Sequence, residues 1–169
     1  MELAYLSLGS NLGDRADHLH QAIEYLGGIG EVAAVSSFYE TEPVEVTEQA
    51  WFLNCAVTLR VDAPAEQLLA DLLAIERKMG RVRSGSKGPR LIDLDILLFG
   101  GQIHNCEGLA IPHPAMHKRR FALVPLAEIA PQARHPILRR SVAELLESVG
   151  HERQVVRVVP GVRAQKKDG

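Results

Sequence analysis

Leu91-Ile92-Asp93-Leu94-Asp95-Ile96-Leu97-Leu98-Phe99, closed by Gly100-Gly101, is the stretch on which the fold turns. It is an apolar, β-rich run with a two-glycine stop, and it predicts a strand. Upstream of it lies a basic loop, and before that Pro64 opens a helix running to about residue 79, with Glu66 in its first turn. Strands are expected earlier, at about 32–41 and 52–61, separated by an acidic ten-residue loop. Asp14 can cap a helix over about 15–27, where Leu19, Ala22, Ile23 and Leu26 fall at helical spacing before Gly27-Gly28. Residues 2–9 alternate, with Leu6 and Leu8 on one face, and end in a Gly9-Ser10-Asn11 turn. The run at 91–99 therefore completes the order βαββαβ. That order predicts an α+β, ferredoxin-like core, a mainly antiparallel sheet with two helices packed on one face.

Downstream, two short helical stretches between 112 and 131 are punctuated by Pro112, Pro114, Pro125 and Pro131, and Ser141 caps a further helix to about 149. These are C-terminal helical additions to the core. Residues 154–159 could add an edge strand. One domain over 1–162 and a flexible tail over 163–169 are expected, with no internal repeat.

A chain of 169 residues with 46% hydrophobic and 24% charged residues has ordinary globular usage, which excludes fibrous and wholly disordered classes. Cys55 and Cys106 form no CxxC, so neither a disulfide framework nor a zinc module is indicated. No apolar run reaches the length of about 20 residues that spans a bilayer, and the expectation is a cytoplasmic protein. Nineteen bases against 21 acids leave a net charge of −2, too little for a general polyanion binder. The sum hides a segregation. Residues 1–50 hold nine acids and one base, a net of −8, so residues 51–169 carry +6. Between 77 and 90, Arg77, Lys78, Arg81, Arg83, Lys87 and Arg90 supply six bases and no acid. Such a loop is either solvated or binds a polyphosphate, and its preference for arginine suits bidentate phosphate contacts.

In the strand at 91–99, alternation puts Ile92, Leu94 and Ile96 on one face and the carboxylates of Asp93 and Asp95 on the other, roughly 6.5–7 Å apart at Cα. Two anions facing one way repel unless divalent cations bridge them or arginines pair with them; two metals form the usual phosphoryl-transfer clamp. Glu76 falls within the apolar arc of its helix, so it either reaches the rim or orients a loop arginine or a nucleotide group. His113, between Pro112 and Pro114 and shortly before Arg119, is either structural or a donor to an oxyanion. Phe52 beside Asn54, and Phe121, are either core rings or ligand platforms. The turn at 9–15 reads as structural. No GxxxxGK[ST] or GxGxxG occurs, so neither a P-loop nor a Rossmann cradle is available.

The motifs Leu8-Gly9-Ser10-Asn11-Leu12-Gly13, Ser37-Phe38-Tyr39-Glu40-Thr41, Phe52-Leu53-Asn54, Gly80-Arg81-Val82-Arg83, Gly88-Pro89-Arg90-Leu91-Ile92-Asp93-Leu94-Asp95 and Pro112-His113-Pro114 occur in order from about Leu3 to Pro131. Together they resemble the 6-hydroxymethyl-7,8-dihydropterin pyrophosphokinases of folate biosynthesis. The resemblance implies ATP-dependent transfer of diphosphate to the hydroxymethyl oxygen of the pterin, with release of AMP. It implies two Mg²⁺ ions on Asp93 and Asp95, and phosphate contacts from Arg81, Arg83, Arg90, His113 and Arg119. Arg81, Arg83, Arg90, Asp93 and Asp95 would form the catalytic set, with Glu76 near the nucleotide. Asn54 would read the pterin's amide edge, helped by backbone at Thr41 and Val44, while Phe52 and Phe121 stack on its faces.

Such a reaction needs alignment and charge stabilisation more than a strong base. The Gly/Arg loop would serve as a lid. This chain departs from the family pattern at Ser86-Lys87, where relatives often carry a basic and then an aromatic residue, and at Pro114, where some carry Tyr. The partners expected are ATP and the pterin, with neither nucleic acid nor membrane, and a monomer is expected with a dimer left open. The other readings are a two-metal nucleotide phosphohydrolase and, third, a ferredoxin-like RNA-binding module, which the paired carboxylates disfavour.

Overall fold

A computed structural model describes residues 1–43, 50–80, 91–150 and 155–163. The strands are β1 (Glu2–Ser10), β2 (Glu31–Val35), β3 (Ser37–Thr41), β4 (Phe52–Val61), β5 (Asp93–Phe99), β6 (His104–Cys106), β7 (Leu109–Ile111) and β8 (Val156–Arg163). The helices are α1 (Arg15–Leu26), α2 (Ala65–Lys78), α3 (Arg120–Ile129) and α4 (Val142–Ser148), with a 3₁₀ turn at Met116–Lys118.

The main sheet runs β5-β1-β4-β3-β8, with β2 also paired to β4. Every pairing is antiparallel. Because β1 and β3 both run against β4, they are parallel to each other, with α1 on the connection; β4 and β5 are related in the same way through β1, with α2 between them. This is the ferredoxin-like arrangement expected from βαββαβ.

Local chemistry sets the boundaries. The Asp14 carboxylate accepts from the Asp17 N–H at 3.1 Å and starts α1. Pro64, extended at φ −69°, ψ 165°, precedes α2. The single strand expected over 32–41 is instead two, broken at Ser36. The buried Ser36 hydroxyl accepts from the Ala56 N–H at 2.8 Å and donates to the Ser37 carbonyl at 2.7 Å, so a side chain stands in the ladder. The register on β4 moves by one residue across it, from Val35 opposite Val57 to Tyr39 opposite Asn54.

Both faces of the sheet are covered, which the two-helices-on-one-face expectation did not include. On the first face Leu6, Leu8, Cys55, Val57, Leu94 and Ile96 pack against Leu19, Ala22 and Leu26 of α1 and Leu68, Leu72 and Ile75 of α2. On the second, Ala56, Leu97 and Leu98 pack against Ala122, Leu123 and Leu126 of α3 and Val142 and Leu145 of α4. Ser141 caps α4 with a reciprocal pair of bonds to Glu144. The C-terminal helices thus close a second layer of core. Arg163, expected in a loose tail, pairs with Ser37 as the last residue of β8; residues 164–169 lie outside the described residues.

Candidate active site

The second face of the sheet is set by strand alternation. Asp93 on β5 pairs with Gly9 on β1, Gly9 pairs with Asn54 on β4, and Asn54 pairs with Tyr39 on β3. These four residues form one rung across the sheet. Asp95 stands two rungs further in, opposite Ser7. With strands about 4.8 Å apart, Asp93 and Asn54 are separated by roughly 9.6 Å, with only a glycine between them.

Gly9 is required there. A Cβ at this position would come within 2.5 Å of Asn54 Nδ2 and 3.5 Å of the Phe52 ring. The Asn54 amide leans over the glycine and donates to the Leu8 carbonyl at 3.3 Å, while the Thr41 hydroxyl donates to Asn54 Oδ1 at 2.5 Å. Asn54 and Thr41 are both buried, so the orientation of the amide is fixed from two sides. Phe52, half-buried, borders the same glycine. Phe121 stands at the start of α3, with the Arg119 guanidinium 5.4 Å from its ring centre.

Alternation holds at the carboxylates as well. Asp93 and Asp95 are half-buried, between the buried Ile92, Leu94 and Ile96 of the opposite face. Glu76, which the sequence left between a rim position and a site role, is 3% exposed and accepts from the Leu94 N–H at 3.0 Å. It does not reach solvent at the rim. It fastens α2 to the residue between the two aspartates.

His113 follows the cis Ile111–Pro112 peptide. Its N–H donates to the Leu97 carbonyl at 2.9 Å, tying the loop to β5, and its Nδ1 accepts from the Ala115 N–H at 3.1 Å. That bond leaves the ring proton on Nε2. Burial, helped by Arg119 and opposed by Asp93, pushes His113 down to about 4, so at neutral pH the ring is an uncharged donor within electrostatic reach of both.

The described residues thus bring together Asp93, Asp95, His113 and Arg119 at one end of the rung, and Asn54, Thr41 and Phe52 at the other. Arg81, Arg83, Arg90 and Val44 lie outside the described residues. Gly9 was not singled out from sequence, where it reads as a turn residue; its role follows from strand register.

A family model described as 7,8-dihydro-6-hydroxymethylpterin-pyrophosphokinase (HPPK) matches residues 5–131. The chain belongs to the HPPK family. Among its relatives, the 2-amino-4-hydroxy-6-hydroxymethyldihydropteridine pyrophosphokinase of Bacillus subtilis is 46% identical over 132 residues, 77% of this chain and 79% of that one. That of Methylorubrum extorquens is 47% identical over 134 residues, 78% of this chain and 84% of that one. The folic acid synthesis protein fol1 of Pneumocystis carinii is 41% identical over 149 residues, and this chain spans 88% of itself but only 20% of that protein. Among solved structures, a Plasmodium falciparum HPPK-DHPS aligns with a TM-score of 0.68 at 16% identity, covering 87% of this chain and 45% of that one, which supports the fold. As an HPPK the chain is a diphosphotransferase of folate synthesis.

The donor set on β5 fits a hard divalent cation. Two carboxylates on one face offer only oxygen ligands, and Mg²⁺ sites commonly combine one or two carboxylates with water and substrate phosphate.

Proposed function

We propose that this HPPK moves the terminal diphosphate of ATP to the hydroxymethyl oxygen of 6-hydroxymethyl-7,8-dihydropterin. A bond forms from that oxygen to the β-phosphorus, the bond from the β-phosphorus to the oxygen bridging the α-phosphorus breaks, AMP leaves, and the hydroxyl proton is released. The observation that supports this reading is the rung from Asp93 through Gly9 to Asn54, which sets the Asn54 amide and the Asp93 carboxylate two strand spacings apart with a glycine between.

Asn54, oriented by Thr41, reads the amide edge of the pterin, with backbone at Thr41 and Val44 beside it, and Phe52 and Phe121 flank the ring. At the other end Asp93 and Asp95 would hold two Mg²⁺ ions, whose charge would offset that of the triphosphate. His113 donates from Nε2 to a phosphate oxygen, and Arg119 adds positive charge beside it. Arg81, Arg83 and Arg90 extend that contact over the nucleotide, and Glu76 holds β5 in place next to it. The substrates are small molecules. No helix among the described residues is long and apolar enough to cross a membrane, and a single cytoplasmic domain acting as a monomer is the arrangement we propose.

Incubation with Mg²⁺-ATP and the pterin tests this. Pterin-dependent AMP together with a pterin diphosphate supports it. Production of ADP or free phosphate without pterin would replace it with the phosphohydrolase reading.

A further inference from the structure

Around Trp51, the residue before Phe52, four elements meet in a brace that the catalytic reading does not use. Arg15, at the start of α1, donates to the Trp51 carbonyl at 2.8 Å and pairs with Glu40 of β3 at 3.2 Å. On the other side Arg157 of β8 lies opposite Glu40 in the strand register, reaches its second carboxylate oxygen at 3.3 Å, and sets its guanidinium 4.8 Å from the centre of the Trp51 ring. One carboxylate therefore joins two arginines, of which one holds the Trp51 backbone and the other its ring.

β8 lies beyond residue 131, where the match to the family model ends. Its place on β3 makes an interior strand of what would otherwise be a sheet edge. Thr41 is paired to Val156 on one side and Phe52 on the other, and just past it Val155 and Glu42 exchange two hydrogen bonds, at 2.8 and 3.2 Å. Thr41 is the residue whose hydroxyl fixes Asn54, and Trp51 sets where β4 and the Phe52 ring begin.

We propose that β8 is a positioning element for the pterin end of the site, acting through Arg157 and Glu40 on Trp51, and that the affinity for pterin, more than for ATP, depends on it. This rests on the pyrophosphokinase reading. Arg157 is 63% exposed on its side chain, so its removal leaves the core untouched.

The test is steady-state kinetics of Arg157→Ala, with Arg157→Lys as the conservative variant. The chain has one tryptophan, so its fluorescence reports on this brace alone. In Arg157→Ala, KM for pterin is expected to rise about three- to tenfold, the size of a lost cation–π contact and a partly exposed ion pair. KM for ATP and kcat should stay within a factor of about two, and Arg157→Lys should recover part of the loss. Titrating wild type with pterin in the presence of a non-hydrolysable ATP analogue should change Trp51 emission, with weaker binding in Arg157→Ala. An unchanged KM for pterin, or equal changes in both KM values, in a protein whose wild type makes AMP overturns the inference. A wild type that makes no pterin-dependent AMP fails the underlying reading instead.

Discussion

The Glu76 carboxylate accepts the Leu94 N–H at 3.0 Å, so a buried acid on α2 is fastened to the one residue of β5 that separates Asp93 from Asp95. Glu76→Ala leaves that buried N–H without its acceptor and is expected to cost about 1–3 kcal/mol of stability, with turnover falling as β5 loosens. Glu76→Gln keeps an acceptor and should lose less of both. Thermal unfolding and AMP formation, measured on the two variants side by side, check this; a Glu76→Ala protein as stable as wild type would contradict it.

Asp95→Ala removes one of the paired carboxylates at a half-buried position, where the lost side chain leaves little void. The fold should be retained by circular dichroism, while turnover drops by roughly a hundredfold or more, as expected when a contribution of several kcal/mol to charge stabilisation is lost. Near-wild-type activity would remove Asp95 from the metal-binding set.

Gly9→Ala places a methyl group within 2.5 Å of Asn54 Nδ2. The amide must swing away from the Leu8 carbonyl and the Thr41 hydroxyl, at a cost of about 1–3 kcal/mol. Pterin affinity should fall tenfold or more with ATP affinity little changed, as read by calorimetric titration of each ligand. Thr41→Val, which removes one of the two bonds on Asn54, should show the same selectivity in smaller measure. Equal losses for both ligands would mean that Gly9 supports the sheet and not the pterin end.

The histidines fix the sign of the acid response. His113 is held down at about 4, against 6.5 for an ordinary imidazole, by burial and Arg119 with Asp93 opposing. Above about 6.5 the ring is neutral whether or not the chain is folded. Between about 6.5 and 4 the unfolded chain takes up a proton that the folded one does not, so stability present at neutral pH is lost as pH falls through that window. His135 is lowered too, by burial and by His117, and adds to the loss. The melting temperature should therefore drop from pH 7 to pH 4.5. In His113→Gln the drop should be shallower, with the share due to His135 remaining. An equally steep drop would show that His113 is not held neutral.

What the sequence made legible was local. β4 runs from Phe52 to Val61 as its apolar pattern predicts, Asp14 caps α1, and the shared face of Asp93 and Asp95 follows from two-residue alternation alone. What it hid depends on partners far away in the chain. Ser36 breaks a strand because its hydroxyl meets Ala56, twenty positions on, and nothing near Ser36 announces that. Neither reading of Glu76 contained the bond it makes, since that depends on the Leu94 N–H, eighteen positions on. Gly9 looked like punctuation because a glycine at a turn and a glycine beneath an asparagine amide are written the same way. Helical stretches over 112–131 and from Ser141 to about 149 were visible, but α3 runs through Pro125, which reads as punctuation, and which side of the sheet the helices cover depends on register.

The glycine rung also makes the sheet a ruler. The gap from Asn54 to Asp93 is counted in hydrogen-bonded strands, a length that side-chain substitution on the rim cannot stretch. On the reading proposed above, the sheet would fix how far a substrate's reacting hydroxyl lies from its amide edge, so that substrate choice would be metric as well as chemical.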